Sequence, residues 1–242
     1  MRVTYLNHSG FLLEWEKCYW LFDYYRGKIP ELKKEKPLFV FCSHSHSDHF
    51  NPAVFELVGQ QRNVTYVFSN QLRASCKRTK KQTGKELPEV LFVYSDTDVE
   101  LSDGDGGLIR MHVLPSTDCG CAFFLEYGGR TVYHAGDLHW WIWPGEPEED
   151  NRRMTGSYRK YMSYLENRKI DLAFTPLDPR LEEYYDRGMN YLLEKAQVGD
   201  VFPMHFWDDF AVTERYLNEN RVPEYTVFYR ITEDGQSFEL SE

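Results

Sequence analysis

Residues 44 to 49 read HSHSDH. Neutral imidazole and carboxylate are the groups that divalent transition metals take from proteins. Three histidines and an aspartate packed this closely point to a metal site. His44 and His46 stand two apart, so in an extended loop their side chains project to one side. Asp48 and His49 come at the bend that follows and can face the same cavity from another direction. Two further candidates lie far along the chain. Asp137 stands in YHAGDLHWW, and His205 stands in PMHF. Each follows a segment that reads as a strand, and strand ends bring distant residues to one place.

The elements around these residues are legible. PLFVFCS, Pro37 to Ser43, reads as a buried strand leading into HSHSDH. Asn51 reads as a helix N-cap with Pro52 in the first turn and AVFELVG following. The metal-type motif is therefore a loop between a strand end and a helix start, where rigid scaffolds place chemistry. Earlier strands are expected at Val3 to Leu6, Gly10 to Trp15 and Tyr19 to Tyr24. Later ones are expected at Val64 to Ser69, Glu89 to Tyr94 and Leu108 to Pro115, with DGDGG (Asp103 to Gly107) as a turn. Cys121 to Tyr127, Gly128-Gly129 and Arg130 to Gly136 read as a hairpin. Helices are expected at Asn151 to Arg168, Met189 to Gln197 and Asp209 to Asn218. Strands are expected at Asp171 to Leu177, at Asp200 to Met204, and in the closing YTVFYRI and QSFEL. No fixed-period repeat and no Gly/Ser/Pro linker divides the chain. One domain, residues 1–242, with two packed sheets flanked by helices, is the expected organisation.

The whole chain sets bounds on function. Hydrophobic residues make up 42% and charged residues 27%, ordinary for a globular protein. Aromatics at 16% predict a ring-rich core or cleft. A net charge of -10 disfavours broad electrostatic binding to nucleic acid or to an anionic membrane. The one basic stretch, CKRTKKQTGK from Cys76 to Lys85, reads as a solvated loop or helix end. Five cysteines (Cys18, Cys42, Cys76, Cys119, Cys121) include no CxxC pair, which fits reduced thiols in the cytoplasm. The opening MRVTYLNHSGFLLEW does not read as a signal peptide. No apolar run approaches membrane-spanning length.

HSHSDH, AGD and PMH, in this order, resemble the metallo-β-lactamase superfamily, whose signature is HxHxDH. TYLNHSGFLLEW, YHAGD and PMHF resemble more narrowly its ascorbate-6-phosphate lactonase-like branch of Zn-dependent hydrolases. The resemblance covers nearly the whole chain. It implies a four-layer αββα sandwich of the α/β (α+β) class, with a two-metal site at one edge of the sheets. It implies that His44 and His46 serve the first metal and that Asp48, His49 and His205 serve the second. Asp137 would bridge both. Six ligands exceed the four of a closed tetrahedral zinc, which argues for two ions with open positions. Two Zn²⁺ ions are expected, with Mn²⁺ or Fe as alternatives.

One departure stands out. Superfamily members usually add a third histidine to the first metal just after the strand that here is LIRMHVLP. This chain reads PSTDCGC there, Pro115 to Cys121. His112 lies too early, inside the strand. Asp118 is the expected substitute, and Cys119 the alternative, since a thiolate binds zinc. Ser116 and Thr117 would be weaker ligands. A first site with fewer nitrogens would bind its metal less tightly, favour a harder ion such as Mn²⁺, or stay empty.

Other residues have two readings. Alternation makes His134 a buried histidine rather than a ligand. The resemblance puts His8, in NHSG, near the site; a structural histidine is the other reading. His139 reads as structural or as a substrate contact. Trp140, Trp141 and Trp143 follow Asp137 and could wall a pocket, with core packing the default for at least two of them. Arg180, in the Asp178-Pro179-Arg180 loop, could clamp an anionic substrate with its planar fork, although a surface salt bridge is the commoner use. Candidate substrate contacts are thus His8, Trp140, Asp178 and Arg180, and candidate catalytic carboxylates are Asp48 and Asp137.

The expected activity is hydrolysis of a small ester, lactone or phosphoester by a metal-activated water. The rivals are a phosphodiester nuclease, which the net charge disfavours, and a degenerate metal-binding member that does not turn over. A diiron redox enzyme would carry more carboxylate and an attached flavin domain. A small-molecule substrate and no membrane partner are expected; a homo-oligomer stays open.

Overall fold

Fourteen strands carry the chain between the site's loops in a computed structural model that describes residues 1–59 and 61–240. In chain order the first are β1 (Arg2–Asn7), β2 (Gly10–Glu14), β3 (Tyr19–Phe22), β4 (Leu38–Cys42), β5 (Val64–Ser69) and β6 (Val90–Val93). There follow β7 (Thr97–Ser102), β8 (Leu108–Pro115), β9 (Cys121–Tyr127), β10 (Arg130–His134), β11 (Lys169–Pro176), β12 (Gln197–Met204), β13 (Val227–Phe228) and β14 (Ser237–Glu239). The helices are α1 (Val54–Leu57), α2 (Arg73–Thr83), α3 (Glu148–Met162), α4 (Arg187–Lys195) and α5 (Ala211–Glu219). One sheet runs β14-β1-β2-β3-β4-β5-β6 and the other β13-β12-β11-β10-β9-β8-β7.

The two sheets share one pairing scheme. Three antiparallel junctions are followed by three parallel ones: β3-β4-β5-β6 in the first sheet, β10-β11-β12-β13 in the second. Parallel strands covered on both faces read as continuous apolar runs, and LFVFC of β4 is buried at every position. Alternation still sorts the faces. Phe11, Trp20, Phe22 and Phe41 point between the sheets. Leu12, Leu21, Val40 and Phe68 point outward, where Val54, Phe55 and Cys76 of α1 and α2 cover them. On the other side α4 packs on β11 and β12, with Tyr158, Met162, Leu192 and Tyr216 in the main core. The layers are therefore helix, sheet, sheet, helix. Each fully buried large apolar side chain stabilises this arrangement by about 1.5–3 kcal/mol.

Several boundaries differ from the sequence reading. β7 was not expected; its exposed and half-buried residues alternate on a solvated edge, where a polar pattern hides a strand. The basic stretch from Cys76 is the body of α2, whose cations near the C-terminus (Lys80, Lys81) suit the helix dipole. α1 is one turn long, and Asn51 Oδ1 accepts the Ala53 N–H (2.9 Å) just ahead of it. α3 begins at Glu148, with three acids in its first turn, rather than at Asn151. It turns 3₁₀ from Ser163 instead of reaching Arg168 as α-helix. The closing segments keep only short strands, Val227–Phe228 and Ser237–Glu239. All five cysteines are free. Among the described residues no helix is long and apolar enough to cross a membrane.

Candidate metal centre

The loops that leave β3, β4, β10, β11 and β12 meet at one edge of the sandwich. They deliver Asp23, His44 to His49, Asp137, Asp178 and His205 respectively. The β8–β9 connection adds Asp118. Two glycines let these loops close. Gly120 has φ 71, and a Cβ there would lie 1.9 Å from the Ser43 carbonyl oxygen and 2.5 Å from His44 Cβ. Gly136 has φ 51, and its Cβ would lie 2.7 Å from the Ser43 side chain. The left-handed backbone and the absent side chain are both needed for the chain to pass Ser43 this closely.

Two clusters share Asp137. His44 Nε2 lies 3.2 Å from Asp137 Oδ2 and 3.1 Å from His46 Nδ1. On the other carboxylate oxygen, Oδ1, His49 Nε2 approaches to 3.1 Å and His205 Nε2 to 3.4 Å. His8 Nε2 lies 3.4 Å from Asp48 Oδ2. Possible ligand atoms lie within 4.8 Å of one another in three groups: His44, His46 and Asp137; His8, Asp48, His49 and His205; and His46, Asp118 and Cys119. His44, His49, His205 and Asp137 are buried, whereas His46 and Asp118 are half exposed and 3.9 Å apart.

His44, His49 and His205 are each oriented from behind. His49 Nδ1 meets Asp23 Oδ2 at 2.8 Å, His205 Nδ1 meets Asp178 Oδ2 at 2.9 Å, and His44 Nδ1 meets Ser43 Oγ at 2.9 Å. Such partners fix the ring and leave the other nitrogen facing the site. Asp23 also accepts the Ser43 N–H (2.7 Å) and hydroxyl (2.6 Å), so it ties β3 to the start of the motif. Sequence reasoning missed Asp23. The available signal was a single acid closing an otherwise apolar strand, YWLFD. Asp178, expected at the substrate, instead lies fully buried behind His205.

The donor set fits cations. His8 Nε2, His49 Nε2 and Asp137 Oδ1 are buried without a hydrogen-bond partner. The close His49–Asp137 contact is not aligned as a hydrogen bond, so both atoms are left for a third group. Buried polar atoms in native proteins normally have a partner, and converging orphans are what a metal would satisfy. Without an ion, burial opposes protonation of His49, but Asp137 and Asp23 outweigh it and raise its imidazole well above the ordinary range. Burial pushes the His8 imidazole down to about 4 and keeps it neutral. Burial opposes ionisation of Asp137, but His49 and His205 outweigh it and hold the carboxyl well below the usual range.

Residues 2–151 match the β-lactamase superfamily domain. The chain belongs to the β-lactamase superfamily. A superfamily relative from Desulforamulus reducens, named a metal-dependent hydrolase, is 27% identical over 215 residues, 85% of this chain and 84% of that protein. One from Carboxydothermus hydrogenoformans, named likewise, is 27% identical over 145 residues. That match spans 57% of this chain and 62% of the relative, less than two thirds of its length. Among solved structures, Igni18, a metallo hydrolase from the hyperthermophilic archaeon Ignicoccus hospitalis, covers 99% of each chain with a TM-score of 0.63. At 16% identity this is a likeness of fold. The matched superfamily segment includes the motif, Asp118 and Asp137; Asp178 and His205 come from the rest of the chain.

A cavity of about 380 Å³ opens over Asp137 and His205, with His46, Asp48 and Asp118 at its edge. Trp141 and Trp143 line it, but Trp140 does not. Trp140 turns away to donate Nε1–H to Thr155 Oγ1 (3.0 Å) and stack on Tyr158. Irregular backbone after Asp137 carries no period that could have told the three tryptophans apart. Arg180 reaches the cavity, yet its Nε and one terminal nitrogen bind Asp178. Its charge is matched by Asp178, the salt-bridge use that the sequence also allowed. His134 lies buried with Nε2 3.0 Å from the Ser9 carbonyl. His139 is buried against Gly188, with no partner on either nitrogen. His112 sits away on β8, 2.7 Å from Asp98. His8 and His205 both hold left-handed backbone, φ 55 and 65, at about 1–3 kcal/mol each. The His205 N–H donates to the His8 carbonyl (3.1 Å) and the His8 N–H to Tyr5 Oη (2.7 Å), which locks the pair.

Proposed function

We propose that this protein is a metal-dependent hydrolase that holds two divalent ions and cleaves a small ester, lactone or phosphoester. The observation that carries this reading is Asp137, one carboxylate oxygen turned to each cluster, with the orphaned atoms His8 Nε2, His49 Nε2 and Asp137 Oδ1 converging in the second. His44, His46, Asp137 and Asp118 would hold one ion. Asp48, His49, His205 and Asp137 would hold the other, with His8 against Asp48. Bound there, the ions would supply a water acidic enough to attack near neutral pH and would polarise the bond being cut.

The chain's own groups set the rest. Asp23, Asp178 and Ser43 fix the histidine rings. Asp48 is the partly exposed carboxylate on the cavity wall, its side chain 18% accessible. Burial opposes its ionisation, but His8 and His49 outweigh it and hold the carboxyl well below the usual range, so it stays charged beside the attacking water. Asp118 in place of a third histidine gives the first position more oxygen, which suits a harder ion such as Mn²⁺ beside Zn²⁺. The five free cysteines support a reducing, cytoplasmic setting. The lactonase-like branch supplies the first substrates to try.

The test is metal analysis of purified protein combined with a panel of lactones, carboxylic esters and phosphoesters. His46→Ala and Asp137→Asn should each lower metal content and abolish hydrolysis. If both variants keep wild-type metal and activity, the assignment fails.

A further inference from the structure

Part of the cavity's lining is apolar. Trp141, Trp143, Met154 and Trp207 form it. Trp141 and Trp143 lie parallel, 6.1 Å apart between centroids. Trp207 sits at the rim, 44% exposed. The backbone at this tryptophan is tied in place. Trp207 and Asp208 both hold left-handed backbone, φ 52 and 61. Asp208 is tied down by Asn7 Nδ2 (3.0 Å) and by Arg26. Strain of this kind persists only where surrounding contacts impose it, and it concentrates at ligand clamps.

The charge of the lining is equally informative. Among the described residues its only Lys or Arg is Arg180. That guanidinium is bound to Asp178 through Nε and one terminal nitrogen and lies over two rings, 5.4 Å from Trp143 and 4.6 Å from Trp207, with its side chain 44% exposed. Three carboxylates, Asp48, Asp118 and Asp137, border the same space. A phosphodiester or sugar phosphate would find no lysine here and one guanidinium already paired with Asp178, whereas a planar neutral body would find aromatic surface to pack against.

We propose that the substrate is an uncharged ester or lactone with a flat aromatic or alicyclic body, which lies against Trp143 and Trp207 with its reacting carbonyl over Asp137. This rests on the hydrolase reading for turnover, but not for binding, and the two can be tested apart. Binding is measured with 2-tetralone, the carbocyclic isostere of dihydrocoumarin, which has no ester bond to cut. Turnover is measured with dihydrocoumarin, γ-butyrolactone and bis(p-nitrophenyl) phosphate on the metal-replete protein.

2-Tetralone should bind, and Trp207→Ala should weaken it about tenfold while Trp207→Phe restores most of the loss. Dihydrocoumarin should show a KM about tenfold below that of γ-butyrolactone, and Trp207→Ala should raise that KM with little change in kcat. Trp143→Ala provides a second variant for the opposite side of Arg180. Binding of 2-tetralone without hydrolysis of any substrate would sink the hydrolase reading and leave the pocket assignment standing. Absence of 2-tetralone binding, or a preference for bis(p-nitrophenyl) phosphate untouched by either tryptophan variant, would overturn the proposal.

Discussion

Replacing Asp23 by asparagine tests whether a residue outside the HSHSDH motif governs the site. The wild-type carboxylate accepts three hydrogen bonds: from Ser43 N (2.7 Å), Ser43 Oγ (2.6 Å) and His49 Nδ1 (2.8 Å). The substituted side chain retains one oxygen for the Ser43 N–H, and its amide can donate to Ser43 Oγ. It then presents N–H to the protonated Nδ1 of His49. The lost charge-assisted bond is worth about 1.5–3 kcal/mol. For a chain of this size that lowers Tm by roughly 3–12 °C. His49 escapes the clash by moving its proton to Nε2, the atom that faces Asp137, or by rotating away. Either response removes a nitrogen from the second cluster. Loss of such an orienting partner typically weakens metal binding about 10–100-fold, or about 1.4–2.7 kcal/mol. The assay is chelator competition for each metal equivalent, with Tm measured on the same samples. The larger loss should fall on one equivalent, because Asp23 meets His49 directly and His44 only through Ser43. Unchanged metal affinity together with an unchanged Tm would refute the reasoning.

Three further outcomes follow from the packing. Gly120→Ala forces a Cβ to within 1.9 Å of the Ser43 carbonyl oxygen at φ 71. It should destabilise the fold by more than about 1 kcal/mol and lower metal content, read by urea denaturation and metal analysis; a neutral result would mean the loop does not press on the motif. Phe22→Ala removes a fully buried ring stacked on Phe41 (4.9 Å) and His134 (4.8 Å). It should cost about 3–5 kcal/mol in urea denaturation, and a loss below about 1 kcal/mol would contradict the inter-sheet core. Asp103 gives a pH test. Burial opposes its ionisation, but hydrogen bonds from Tyr127 and from the Asp105 and Gly107 N–H groups hold its carboxyl below the usual range. A depressed folded-state value stabilises the protein above the unfolded value near pH ~4 and is lost as pH falls below it. The Tm gap between wild type and Asp103→Asn should therefore be full near neutrality and shrink below pH ~4; a gap that widens on acidification would reverse the sign.

The sequence by itself determined what short spacing and local pattern encode. HSHSDH named its ligand-type residues because imidazoles two apart on extended chain face one way. Apolar runs such as LFVFC marked strands covered on both faces, and the order of elements announced two sheets with helices outside. Asp137 and His205 each follow a recognisable strand, but it was their order after HSHSDH, shared with the superfamily, that marked them as ligands. Tertiary structure decided everything that depends on which strand lies beside which. It brought Asp23 behind His49 and turned Asp178 toward His205. It matched Arg180 with Asp178 and sent Trp140 into a groove while Trp141, Trp143 and Trp207 faced the cavity. It also gave both sheets one pairing scheme that no sequence repeat reveals. The physical reason is range. Backbone periodicity fixes where a side chain points relative to its neighbours in the chain. The partner it meets across the fold is set by strand register and by loops passing within contact distance, as Gly120 and Gly136 do at Ser43.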